Sequence, residues 1–432
     1  MKSLLIGGGA REHAIAKRMV EGSELYAFVS LDNPGISSLA SEIKVGNILD
    51  ANEAILFARH VIPDYIFIGP GTVIAAGVGD ALSEAGFQVV APSRAGARLD
   101  WDSAFFRFFI QDHASEASLK FAACESRHEI NNAFRDIGTS LSVSTSESPE
   151  NHFETPYLAR EYAYRSIGDK SSGSTSVVLQ EKAEGEKFTL QVFTDGETLS
   201  PMPLVKSYKI SENDKIHLSE DVGTYSESNH LLPYISTEDA ENSLSILQKL
   251  LRALKSEHNS VYKGVLCARF VMTAGGPKLL DISAGFGDPE ALNVLSLLKT
   301  DFSHLCMSIL EGKLWPSIEF KKKASVCKYL VPVGYPEKPK IGVSLSVDED
   351  KISKAGAELY YNSVNIKNGK LYTSEGRSLA ILALEDSHED SEDLVESAIS
   401  AVKSENIFYR KDIGTIGLAQ KAMKKMEEIQ NV

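Results

Sequence analysis

The sequence predicts an α/β protein in three parts: an N-terminal domain with a parallel sheet, a larger α+β body, and a small C-terminal α+β domain. Two observations carry this. Short apolar runs alternate with helix-spaced segments over the first hundred residues, and strand-like runs then cluster between Val177 and Ile282. The length of 432 residues agrees with roughly three domains.

Ser3-Leu4-Leu5-Ile6 ends in Gly7-Gly8-Gly9, and Arg11 to Val20 places Ala14, Ile15, Ala16, Met19 and Val20 at helical spacings, giving strand, glycine turn, helix. The pattern continues with a strand at Tyr26 to Val29, a helix at Ala51 to Arg59, a strand at Tyr65 to Ile68, a helix at Gly77 to Ala85 and a strand at Gln88 to Val90. Residues 1–98 therefore form the first domain. In the body, 99–320, the polar stretches Thr139 to Thr155 and Gly168 to Ser176 are read as loops or a lid spanning about 117–180, because they offer little apolar area against ordering entropy. Val177 to Glu181, Phe188 to Phe193, Val265 to Met272 and Lys278 to Ile282 are read as strands of a mainly antiparallel sheet. Helices are expected at Ala240 to Ser256 and Glu290 to Leu310. Lys321-Lys322-Lys323 marks a boundary, and 321–432 forms the last domain, with strands at Ala324 to Val331, Ala357 to Tyr361 and Ser378 to Leu384 and a helix at Glu389 to Val402.

With 45 Lys and Arg against 59 Asp and Glu, the net charge is -14, which argues against a broad nucleic-acid or anionic-membrane footprint and for small-molecule partners. Met1 to Ile6 runs straight into glycines without a signal-peptide core, so a cytoplasmic protein is expected. Cys124, Cys267, Cys306 and Cys327 are far apart and are expected as free thiols.

Gly7-Gly8-Gly9-Ala10-Arg11 puts flexible backbone where exposed amides and a helix dipole favour an anion. Glu12 replaces the third glycine of a dinucleotide fingerprint, so the pattern alone reads more readily as a turn. Asp281 and Ser283 lie two apart on a strand and project to one side, an arrangement that suits magnesium.

Taken together, Gly7-Gly8-Gly9-Ala10-Arg11-Glu12-His13, Gly285-Phe286-Gly287-Asp288-Pro289-Glu290 and Arg410-Lys411-Asp412-Ile413-Gly414 resemble phosphoribosylamine-glycine ligase, an ATP-grasp enzyme of purine synthesis, and Ser325 to Pro332 is similar to its archaeal-type members. The resemblance covers nearly the whole chain. It implies an ATP-grasp α+β body with a lid, and a reaction joining glycine to 5-phosphoribosylamine with ATP and Mg2+. It also implies a substrate site at Gly7, Gly9, Arg11, Glu12, His13, Gly77 and Asp80, catalytic roles for Asp288 and Glu290, nucleotide contacts from Glu181 and Lys209, and metal contacts from Asp281 and Ser283. No nucleic-acid or membrane partner is implied, and the protein is expected as a monomer or small homo-oligomer.

The chain departs from that pattern at identifiable places. Gly71 and Val73 replace a Glu and a Pro, Asp281 and Ser283 replace Glu and Asn, and Gly285 replaces Arg. The two phosphate-binding lysines fall on Ser103 and Ser144, and Ser146 to Glu150 replaces the glycine-rich lid. Each missing lysine removes a charge-assisted contact, so weak ATP binding is expected. The alternative is a non-catalytic homologue that binds a phosphoribosyl ligand or a protein partner.

Overall fold

The apolar runs of the first domain become β1 (Lys2–Ile6), β2 (Glu24–Val29), β3 (Glu42–Val45), β4 (Tyr65–Ile68) and β5 (Val89–Val90). They pair in parallel in the order β3-β2-β1-β4-β5. Successive side chains leave a strand on opposite faces. Leu5, Ala27 and Phe67 accordingly enter one core, while Leu4, Phe28, Ile66 and Ile68 enter a second under the outer helices. Burial on both faces is what the unbroken apolar runs report. Helix Ala10–Met19 follows β1 directly. The edge strand β3, Glu-Ile-Lys-Val, is only half buried and has no apolar run to announce it.

The computed structural model describes residues 1–138, 141–145, 151–152, 155–168, 176–210 and 220–431. Lys170, Glu147 and Glu150, read above as parts of a lid, lie outside the described residues. The lid sheet is antiparallel and ordered β6-β9-β7-β8, with β6 Phe121–Cys124, β7 Leu141–Ser144, β8 Asn151–His152 and β9 Val177–Glu181. Leu141–Ser144 falls in a stretch whose composition reads as loop, whereas the family resemblance expects a strand there. It forms a strand because Leu141 and Val143 alternate into the lid core, while its serines are small enough to be buried on the other face.

Strands β10 (Glu186–Thr194), β11 (Leu199–Pro201), β14 (Gly264–Thr273) and β15 (Gly276–Ala284) make the antiparallel floor of the body. Between them in sequence, β12 (Lys206–Lys209) and β13 (Asp221–Ser226) leave the body and pair with β16 (Ala324–Pro332), so the C-terminal sheet takes two strands from the middle of the chain. That sheet runs β12-β13-β16-β21-β18, with β18 Glu358–Tyr361 and β21 Leu379–Glu385, and β23 (Ile407–Phe408) also pairs with β16. A small sheet of β17 (Ser344–Val347), β19 (Val364–Lys367), β20 (Lys370–Thr373) and β22 (Val402–Lys403) completes the domain.

The single helix expected over Glu290 to Leu310 is two, Glu290–Leu297 and Phe302–Glu311. Leu298 is extended, and the Asp301 carboxylate restarts the helix by accepting from the His304 N–H at 2.7 Å. Helix Ile416–Gln430, which no motif signalled, buries Ala419, Ala422 and Met426 at helical spacing and packs on β10 and β14. All four cysteines are free and buried. Among the described residues no helix is long and apolar enough to cross a membrane.

Candidate functional site

The loops after β1, β4 and β15 meet at one place. Gly7 has φ +126°, and a methyl group there would stand 2.6 Å from Glu12 Cγ and 2.7 Å from Pro70 Cδ, so only glycine lets these chains approach. On the opposite side, Gly285 has φ +113°, and a methyl group there would stand 3.1 Å from the Gly69 carbonyl oxygen. Glu12, almost fully buried, accepts from the Gly9 N–H at 2.8 Å and from Arg11 Nε at 2.6 Å. Arg11 Nη1 donates to the Phe286 carbonyl at 3.0 Å, which ties the first glycine turn to the Gly-Phe-Gly-Asp-Pro-Glu loop. Burial works against the Arg11 charge, but Glu12 and Asp288 more than offset it and hold its pKa above the ordinary arginine value. Arg11 Nη2 has no partner among the described residues.

The helix N-terminus itself is partly engaged. Glu12 takes the Gly9 amide, and the Ala10 amide donates to Asn362 Oδ1 at 2.9 Å, from the C-terminal domain. His13 is buried and its Nδ1 accepts from the Tyr361 N–H at 3.0 Å, a joint between the first and last domains. Burial, aided by Lys17, lowers its pKa to about 3, so the ring is neutral. Gly77 starts a helix with φ +82°, and Asp80 accepts from the Arg94 N–H at 3.1 and 3.2 Å. Those contacts hold their own loop and do not join the Arg11 cluster.

Asp288 and Glu290 lie at the other end of the loop. Asp288 Oδ1 accepts from the Tyr329 hydroxyl at 2.6 Å and Oδ2 from Arg377 Nη2 at 2.8 Å. The buried Arg377 also donates to the Asp221 carbonyl at 2.6 Å. Glu290 Oε1 accepts from Thr189 at 3.1 Å and Ser207 at 2.7 Å. Burial raises the Glu290 carboxyl above its usual range and Asp221 adds to this, while Ser207 and Arg269 oppose it. Gly287, immediately before Asp288, donates its N–H to Gln191 Oε1 at 2.8 Å.

Asp281 and Ser283 stand on β15 as expected, but both Asp281 oxygens accept from Arg269 Nε, at 2.8 and 3.0 Å. The carboxylate so strengthens the arginine that its pKa lies well above the ordinary value. Among the described residues no group of three His, Cys, Asp or Glu side chains is poised to hold a metal ion.

At the lid, Glu181 Oε1 accepts from the Lys120 N–H at 2.9 Å. Ser142 and Gln180 face each other in register, with Ser142 Oγ and Gln180 Oε1 buried and without partners among the described residues, so polar atoms are present for an adenine-side contact. Lys209, on β12, offers its carbonyl to Arg410 Nη1 at 2.7 Å. The phosphate end differs. Ser103 Oγ donates to the carbonyl of Thr145, the residue after Ser144, at 3.4 Å, and both positions that would carry lysines are serines. These residues suit an adenine-side contact, and the two serines bring no positive charge to a phosphate.

Sequence reasoning missed Arg377, Arg269, Asn362 and Asp100, the last accepting from the Ala284 N–H at 2.9 Å. Only Arg269 had a readable signal, since antiparallel β14 and β15 place it opposite Asp281.

The Phosphoribosylglycinamide synthetase N domain matches residues 1–100, its ATP-grasp (A) domain 154–291 and its C domain 325–416. Ser103 and Ser144 lie between the first two matches. The phosphoribosylamine-glycine ligase of Methanobrevibacter smithii is 36% identical over 440 residues, covering 100% of both chains. That of Methanocaldococcus jannaschii is 36% identical over 446 residues, again covering 100% of both. In fold, the Thermotoga maritima phosphoribosylamine-glycine ligase superposes with a TM-score of 0.79 at 20% identity, covering 95% of this chain and 100% of that one. The biotin carboxylase domain of the Hydrogenobacter thermophilus 2-oxoglutarate carboxylase gives 0.74 at 16% identity, covering 99% and 97%. With full-length identity of this order, and the glycine turn, the Gly-Asp-Pro-Glu loop and the ATP-grasp body in one arrangement, the chain belongs to the phosphoribosylamine-glycine ligase family.

Proposed function

We propose that the protein is a phosphoribosylamine-glycine ligase, which joins the carboxyl of glycine to the amine of 5-phosphoribosylamine to give glycinamide ribonucleotide as ATP becomes ADP and phosphate. It acts in the cytoplasm as a monomer or small homo-oligomer. The observation that carries this reading is full-length similarity to ligases of that name, together with the intact junction of the Arg11 turn and the Asp288 loop.

Arg11 takes the substrate phosphate through its unpaired Nη2, in a cradle that Gly7, Gly9 and Glu12 shape. His13, Gly77 and Asp80 hold the surrounding loops in place. Asp288, fixed by Tyr329 and Arg377, receives an amino group, and Glu290, whose carboxyl burial has raised, holds or releases a proton beside it. Glu181 and Lys209 would contact the nucleotide, and Asp281 and Ser283 would be the side chains offered to magnesium, with Asp281 shared with Arg269. Nucleotide affinity is weak, because serines occupy 103 and 144.

Those serines favour a second reading, a homologue that binds a phosphoribosyl compound without turnover. Phosphate release separates the two. Release from ATP that requires both glycine and phosphoribosylamine supports the ligase, whereas none at saturating ATP supports the binder.

A further inference from the structure

Asp100 is the one carboxylate at the junction of the glycine loops to which neither reading assigns a task. It follows Leu99 on helix Arg98–Trp101, which buries Leu99 against the body and turns the next side chain toward β15. Its Oδ2 accepts from the Ala284 N–H at 2.9 Å, immediately before Gly285. A methyl group at Gly71 would stand 2.8 Å from the same oxygen. Glycine at 71 therefore leaves room for the Asp100 carboxylate against the loop that follows β4. Arg11 and Arg269 both act electrostatically on Asp100, which places it between the proposed phosphate contact and the Asp281 strand. Asp100 is partly exposed, and its Oδ1 has no hydrogen-bond partner among the described residues.

A carboxylate with one oxygen pinned by a backbone amide and the other open, beside an arginine suited to phosphate, has the donor and acceptor pattern of a sugar-phosphate site. Arg11 supplies the donors a phosphate needs, and Asp100 supplies an acceptor for a hydroxyl. We propose that Asp100 is the residue that reads the sugar, its Oδ1 accepting a hydrogen bond from a ribose hydroxyl of the phosphoribosyl ligand while the Ala284 amide holds Oδ2. This rests on the reading of the Arg11 turn as a phosphoribosyl site. It adds that the site selects ribose over deoxyribose through a side chain carried by the body rather than by the N-terminal domain.

The test is calorimetric titration of the full chain with ribose 5-phosphate, 2-deoxyribose 5-phosphate, 3-deoxyribose 5-phosphate and inorganic phosphate. Wild type should bind ribose 5-phosphate roughly ten to a hundred times more tightly than at least one deoxy analogue, the worth of one hydrogen bond to a charged acceptor. Asp100→Ala should lose that preference while holding inorganic phosphate as wild type does. Arg11→Ala should weaken all three sugar phosphates by a similar factor. Asp100→Asn, of the same shape, serves where Asp100→Ala melts early, and it should lose most of the preference. A variant at Asp100 that is folded and still prefers ribose overturns the proposal and leaves the phosphate site standing. If wild type binds none of the sugar phosphates at millimolar concentration, the phosphoribosyl reading fails and this one falls with it.

Discussion

Asp100→Asn should make the protein more stable at neutral pH. Burial pushes the Asp100 carboxyl up to about 6, with Asp281 reinforcing it and the Ala284 amide, Arg269 and Arg11 working against it. An ordinary aspartate titrates at about 3.9, so ionised Asp100 destabilises the fold by about 3 kcal/mol at pH 8. Because the side chain keeps some exposure, solvent screening reduces the effect to about 2 kcal/mol. The sign follows from the raised folded value. Its contribution to stability is fully present below about pH 4 and is lost as pH rises through 6. Asparagine is neutral throughout, and its carbonyl still accepts the Ala284 N–H. The assay is urea denaturation of both proteins at pH 4, 6 and 8. The variant should lead by about 2 kcal/mol at pH 8, by less at pH 6 and not at all at pH 4. A variant no more stable than wild type at pH 8, or one whose lead persists at pH 4, refutes the argument that burial of a charge is the cause.

Ser103→Lys, alone or with Ser144→Lys, should tighten Mg-ATP binding by one to four decades, since each restored cation is worth about 1.5 to 3 kcal/mol at a phosphate. Micromolar affinity of the wild type in calorimetry would refute the premise. Arg377→Met should cost about 2 to 3 kcal/mol in denaturant, because it strips the half-buried Asp288 carboxylate of its buried cation, a loss that the exposure of Asp288 reduces. Burial lowers His13 to about 3, so the unfolded chain takes up a proton that the folded one refuses. Stability from this source is present above about pH 6.5 and drains as pH falls toward 3. His13→Gln should flatten the acid side of the stability curve by about 2 kcal/mol at pH 5.

The sequence announced elements wherever burial was lopsided or complete. The runs of β1 and β4 are apolar because both faces of the parallel sheet are covered. Leu141–Ser144 misled because serine counts as polar in a pattern yet is small enough to be buried opposite Leu141 and Val143. The break at Leu298 was hidden by apolar residues on either side of it, and only Asp301 as a cap hinted at it. In the site, the glycine turn and the Gly-Asp-Pro-Glu loop were legible because they are local. Arg377, Asn362 and Asp100 were not, because each matters through a partner 89 to 352 residues away, at Asp288, Ala10 and Ala284. Arg269 stood between these cases, readable only once β14 and β15 are paired in the register that sets it opposite Asp281.

The Asn362 contact at the first helix also bears on the order in which the protein comes into being. Ala10 leaves the ribosome early, but the side chain that receives its amide is 352 residues behind. At roughly 5 to 20 residues per second, that is a wait of about twenty to seventy seconds. Through that interval the nascent N-terminal domain carries its glycine turn with an open amide and His13 without Tyr361, so this turn reaches its final contacts only when the last domain arrives.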